Sequence, residues 1–203
     1  MTNRKKIGGL LFLLAIPILI LVFLEIFGQQ HYSIPTDPAE AEGLSAEVPA
    51  GSLGRTFQFT TLPVNPRGNP VSDRLLTGKE TIIFPVNNAD SDTARTVLEK
   101  LARVQDVFED EDNVQILAVV DTQDLSKLSS LAQQYRSQAP RWQFLANTSR
   151  ANILSPVLPT GTSAATVLLV DEDQNVRGYY DGMQEDEIDR LVVETRILLY
   201  GVE

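Results

Sequence analysis

Between an apolar stretch carrying Ile82, Ile83, Phe84 and Val86 and a run of helical periodicity stands a polar cluster: Asn87, Asn88, Asp90, Ser91 and Asp92. Residues of these types can do two kinds of chemistry. Their amide, hydroxyl and carboxylate oxygens can ligate a hard cation, or offer acid and base groups to a substrate. The same types at the same spacing also make an Asx turn and cap the helix that follows, and this plainer role is the one expected here. No thiol or imidazole joins them. The 203-residue chain has no cysteine, and its one histidine, His31, lies far upstream. Thiol catalysis, disulfides and thiolate metal centres are therefore excluded, and no Ser, His and Asp triad can form around the turn. With neither Cys nor a second His nearby, His31 is an interfacial polar residue beside Tyr32 rather than a ligand.

The elements that must position the turn follow from periodicity. In open α/β sheets ligands gather where strands end and helices begin. From Ser91, the residues Ala94, Val97, Leu98, Leu101, Val104 and Phe108 recur at helical spacing, with Arg95, Lys100, Arg103 and Asp106 on the opposite face. Four acids, Glu109 to Asp112, would oppose the macrodipole at a helix C-terminus, so this helix stops by Phe108. NVQILAVV (113–120) is a buried parallel-type strand, DLSKLSSLAQQY a helix capped by Asp124, and RWQFLA (141–146) a further strand. Such a βαβ series implies a right-handed, partly parallel sheet.

An irregular stretch with a short helical turn (147–165) leads to TVLLVDEDQNVRGYYDG, two strands around an acidic turn. Asp171, Asp173 and Asn175 imitate the first ligands of an EF-hand loop. Val176 replaces its Gly, however, and Gly182 stands where its bidentate Glu belongs, so a hairpin turn is expected instead of a calcium site. The closing helix, EDEIDRLVVETRILLY, turns Ile188, Leu191, Val192, Thr195 and Leu198 or Leu199 to the sheet. Ahead of all these, RTFQFTTLPV has a strand-like alternation with Phe57 and Phe59 on one face, followed by a Pro-Arg-Gly-Asn-Pro turn. Gly78-Lys79 is no P-loop, since Asp73 occupies the place of the earlier Gly and a strand follows the Lys.

Residues 7 to 24 carry no charge and, extended to Phe27 past Glu25, span roughly 30 Å as a helix, the thickness of a bilayer's hydrocarbon core. The apolar run is longer than that of a signal peptide, and no small-residue cleavage site follows it. Arg4, Lys5 and Lys6 precede it, which sets the N-terminus in the cytoplasm by the positive-inside rule. The expected organisation is a cytoplasmic tail (1–6), a transmembrane anchor (7–27), an extended linker (28–54) rich in Pro, Gly, Ala, Ser and Glu, and one α/β domain (55–203) outside the inner membrane, in the periplasm. Of 17 basic and 27 acidic residues, three and one respectively precede residue 28, leaving 14 against 26, a balance of −12. Such a surface repels phosphate backbones, so nucleic acid is not an expected partner.

Strand, helix, strand, helix, strand, an antiparallel hairpin and a closing helix form the order of a thioredoxin-like fold, a central mixed sheet flanked by helices. The chain resembles the Sco/SenC family of membrane-anchored, copper-handling, thioredoxin-like proteins of cytochrome c oxidase assembly. The resemblance rests on the N-terminal anchor, the Tyr-Ser-Ile-Pro exit, Gly78-Lys79 before the first core strand and the RWQFL strand. Its most specific part is VLLVDEDQNVRGYYDG before an acidic helix start. In that family copper is held by a C-x-x-x-C pair after the first core strand and by a His before the LVD-type strand. The resemblance places the pair within Asn87 to Asp92 and the His at about Ser163. Asn87, Asn88, Asp90, Ser91, Asp92 and Ser163 are thus the candidate binding residues, and all are oxygen donors where soft Cu(I) requires thiolate.

No catalytic residue, metal ligand or cofactor is expected. The resemblance implies a non-redox binding or assembly module, accessory to respiratory oxidase or copper-protein biogenesis, with another envelope protein as partner. An enzyme or hard-metal site built on residues 87–92, and a structural subunit of a membrane complex, are the alternatives.

Overall fold

A five-stranded mixed sheet organises the chain, in the order β3-β2-β1-β4-β5. The computed structural model describes residues 54–149 and 163–201. The expected anchor (7–27), the linker up to residue 53 and most of the irregular stretch (150–162) lie outside the described residues. Among the described residues no helix is long and apolar enough to cross a membrane. The elements are β1 (Glu80–Val86), α1 (Asp92–Val107), β2 (Val114–Asp121), α2 (Ser126–Gln134), β3 (Trp142–Asn147), β4 (Thr166–Val170), β5 (Val176–Asp181) and α3 (Glu185–Tyr200).

β1, β2 and β3 are parallel neighbours, with Val86 opposite Val120 and Asp121 opposite Asn147. The helices α1 and α2 supply the crossovers that parallel pairing demands. β4 lies antiparallel on the other side of β1, Ile83 opposite Leu168, and β5 returns antiparallel beside it.

Because side chains alternate across a strand, the sheet sorts its residues into two cores. One face carries Ile82, Phe84, Ile116, Ala118, Phe144, Val167 and Leu169 under the buried stripes of the helices: Leu98 and Leu101 of α1, Leu128 and Leu131 of α2, Ile188 and Leu191 of α3. The stripe of α1 is the one its periodicity predicts, joined by Gln105, and Ser91 caps it by accepting the Ala94 N–H at 3.1 Å. The helix ends at Val107, ahead of the acidic run. In α3, Ile188, Leu191 and Thr195 are fully covered, while Val192, Leu198 and Leu199 pack at the margin. The second helix begins at Ser126, with Leu125 as its flanking residue. Asp124 still serves as the capping group, accepting the Ser126 N–H at 3.0 Å and its hydroxyl at 2.6 Å.

Among the described residues no α-helix covers the opposite face, Ile83, Leu117, Val119, Leu145, Leu168 and Val170. The chain ahead of β1 crosses it and buries Phe57, Phe59 and Leu76 there. The two phenyl rings meet edge to face, centroids 5.1 Å apart. The alternation of Phe57 and Phe59 is as expected, but the strand expected over 55–64 is replaced by isolated bridges, Thr56 to Asn175 and Val64 to Ala146 and Pro70. Pro63, Pro66 and Pro70 offer no N–H, so a continuous ladder cannot form in this segment. Side chains pin it: the Asp73 carboxylate accepts the Phe59 N–H at 3.0 Å, the fully buried Gln115 amide donates to the Leu75 carbonyl at 2.7 Å and to Thr81 Oγ1 at 2.9 Å, and the Gln174 amide donates to Thr77 Oγ1 at 2.8 Å.

Candidate functional site

The Asx-rich turn joins the C-terminal end of β1 to the N-terminus of α1. Its hydrogen bonds run inward. Asn88 Oδ1 accepts the Asp90 N–H at 3.1 Å, an Asx turn; the Ser91 hydroxyl donates to the Asn88 carbonyl at 2.8 Å and accepts from Ala94. The sequence folds this way because short polar side chains can replace the backbone partners that a strand end and a helix start both lack.

The two carboxylates do not make an acidic patch. Lys127 of α2 reaches Asp90 at 2.6 Å, and Arg95, one turn along α1, reaches Asp92 at 3.2 Å. Both pairs are largely exposed, so each contributes at most about 1 kcal/mol of stability. Their effect on the surface is larger, since each negative charge sits beside a positive one. Asn87, Asn88, Asp90 and Asp92 remain exposed.

Ser163 precedes β4. Continuing the antiparallel register from Ile83 opposite Leu168 brings the residues ahead of β4 beside the end of β1, so Ser163 stands at the same end of the sheet as Asn87 and Asn88. Its hydroxyl accepts the Ala165 N–H at 3.2 Å and its carbonyl the Thr166 N–H at 3.1 Å, a local turn that starts the strand. Both bonds run forward along the chain, to Ala165 and to Thr166 at the start of β4.

Sequence reasoning missed two residues of this sheet end. Asp121 and Asn147 close β2 and β3 side by side, the Asn147 amide donating to Asp121 Oδ1 at 2.6 Å. Burial raises the Asp121 carboxyl above the usual range, and the hydrogen bond from Asn147 lowers it in part. Asn147 Oδ1 in turn accepts the Ser149 hydroxyl at 2.8 Å, and the Gln123 amide donates to the Thr148 carbonyl at 3.2 Å. The signal was present as a polar residue directly after each apolar run, ILAVV-Asp and FLA-Asn.

The donor set is amide, hydroxyl and carboxylate throughout, which does not fit copper(I). Among the described residues no group of three or more His, Asp or Glu side chains is placed to hold a metal ion. What the arrangement offers chemically is a polar rim of hydrogen-bond donors and acceptors over the ends of three parallel strands.

No protein family profile and no curated protein sequence matches the chain. Solved structures do. A SCO1/SenC family lipoprotein from Bacillus anthracis superposes with a TM-score of 0.59 at 18% identity, over 71% of this chain and 96% of that one. The copper-bound ScoI of Bradyrhizobium japonicum gives 0.52 at 18%, over 72% and 99%. A thioredoxin family thiol:disulfide interchange protein from Chlorobium tepidum gives 0.54 at 17%, over 69% and 95%. The domain therefore has the thioredoxin-like α/β fold, a mixed central sheet with helices, and Sco/SenC proteins are among its structural neighbours.

Proposed function

We propose that this chain is a membrane-anchored, non-redox, Sco-like binding module that acts by contact with another envelope protein of respiratory oxidase or copper-protein biogenesis. One observation carries the reading. At the strand end where the resemblance sets a reactive cysteine pair, the turn Asn87 to Asp92 is built from side chains engaged in turn, cap and surface ion pairs. Thiol–disulfide exchange requires a thiolate, and the chain has none.

A turn held by its own hydrogen bonds presents a surface with little ordering left to lose on binding, which favours association. With Asp90 and Asp92 beside Lys127 and Arg95, recognition there rests on hydrogen bonds more than on net charge. In this reading residues 7–27 anchor the chain in the inner membrane, residues 1–6 stay in the cytoplasm, 28–54 form the tether, and 55–203 work in the periplasm. Arg4, Lys5 and Lys6 support that orientation.

The test is capture of envelope proteins by the full-length chain from detergent-solubilised membranes, compared with a variant carrying Asn87→Arg and Asp92→Arg. Neither side chain closes the turn, so folding is expected to survive and capture to weaken more than tenfold. Capture equal to that of the parent chain, or submicromolar Cu(I) binding by the purified protein, would overturn the reading.

A further inference from the structure

Glu80 opens β1 at the end of the sheet opposite the Asx turn, and its carboxyl is enclosed. The residue is 5% exposed, and its Oε2 is buried with no hydrogen-bond partner. Three charged groups face it: Asp171 at the end of β4, Glu172 in the hairpin turn and Arg177 on β5. Asp171, also buried, already holds Arg177, whose Nε donates to Oδ2 at 2.6 Å. It further accepts the Asn175 N–H at 2.6 Å and the Asn175 amide at 3.3 Å. One cation thus serves two buried carboxyl groups.

The same hairpin grips the chain entering the domain. Gly54 N–H donates to the Val176 carbonyl at 2.9 Å, Val176 N–H to the Arg55 carbonyl at 2.9 Å, and Phe57 N–H to the Gln174 carbonyl at 2.6 Å. From the other side, Gly78 N–H donates to the Glu172 carbonyl at 3.0 Å. The groups that enclose Glu80 and those that hold the entering segment therefore belong to one stretch of the hairpin, Asp171 to Arg177.

We propose that Glu80 is a proton-binding site that governs this turn: protonated, it lets the hairpin close and hold Gly54 to Phe57; ionised, it competes with Asp171 for Arg177 and loosens both. Burial, then the like charges of Asp171 and Glu172, raise its pKa from 4.5 to about 7, against a backbone hydrogen bond from Glu172 and the Arg177 charge. Between these two values the folded chain keeps a proton that the unfolded chain has released. The stabilisation is complete below pH 4.5 and is lost as pH rises through 7.

The experiment uses the full-length chain in detergent micelles. Carbon-13 shifts of the glutamate side-chain carboxyls, assigned with Glu80→Gln, are expected to give one midpoint near 7 that the variant lacks. Hydrogen exchange at pH 5.5 and 8.5, corrected for intrinsic rates, is expected to show the Gly54, Phe57, Gly78 and Val176 amides losing protection at least tenfold at the higher pH, and E80Q retaining it. A Glu80 midpoint near 4.5 overturns the proposal. So does protection that is equal at both pH values in the parent chain, or lost equally in E80Q. If E80Q does not fold, the parent chain's midpoint and exchange decide.

Discussion

A Cβ on Gly178 would lie 2.3 Å from the hydroxyl oxygen of Tyr180 and 2.6 Å from its ring Cζ. Residues two apart share one face of a strand, so the Tyr180 ring lies back along β5 over the space that Gly178 leaves. In that place the ring is buried, Arg190 stands 4.4 Å from its centroid, and its hydroxyl donates to Glu194 of α3. Arg190 also binds Glu187 at 2.7 Å, Glu194 at 3.0 Å and the Tyr179 carbonyl at 2.9 Å, fastening α3 to β5. Gly178→Ala displaces the ring and is expected to cost about 3 kcal/mol, overpacking plus the lost Tyr180–Glu194 bond. Urea denaturation of the full-length chain in mild detergent checks it. In a Tyr180→Ala background the added loss should fall below about 1 kcal/mol, and an undiminished loss would place the strain elsewhere.

The Asx turn should divide into structural and free side chains. Ser91→Ala removes the cap of α1 and is expected to lower stability by about 1 kcal/mol. Asn87→Ala, exposed and outside the bonds that close the turn, should change it by less than about 0.5 kcal/mol. Paired melts of the two variants give the comparison; equal losses would mean that the turn is held differently.

Phe57 and Phe59 cover a sheet face on which no α-helix lies among the described residues, so they should behave as core residues although they lie in no strand. Phe57→Ala is expected to cost about 3 to 5 kcal/mol, and a chain beginning at Lys79 to aggregate. Dye binding to exposed apolar surface, with light scattering, reports the second outcome. A soluble, cooperatively folding chain from Lys79 onward would show that the segment is dispensable.

Much of the fold was legible because each element carries its own period. The stripe of Ala94, Val97, Leu98, Leu101 and Val104 can satisfy only a helix lying on one face, and the polar residues between the two apolar halves of the hairpin can make only a turn. The segment before β1 was harder. Its alternation says which side chains are buried, but whether a ladder forms depends on prolines and on partners far along the chain, Asn175 and Ala146.

At the candidate site the residue types were legible and their engagement was not. Lys127, 37 residues from Asp90, is what sets a positive charge beside that carboxylate, and no local pattern announces it. Glu80 was invisible for the same reason: a lone acid before an apolar run is ordinary until Asp171 and Arg177 arrive from the hairpin.

The chain ahead of β1 touches both outer strands, at Val176 through Arg55 and at Ala146 through Val64. Tension applied upstream of Gly54 would therefore load the domain along a defined path. The first resistance is the three backbone bonds at the β5 turn, which are pulled one after another as in an unzipping hairpin. Next comes Phe57, which must leave its pocket before load reaches Val64 and the far edge. The sequence of yield points begins at the turn that encloses Glu80. In a single-molecule pulling experiment, the earliest and weakest event should be the one whose force depends on pH.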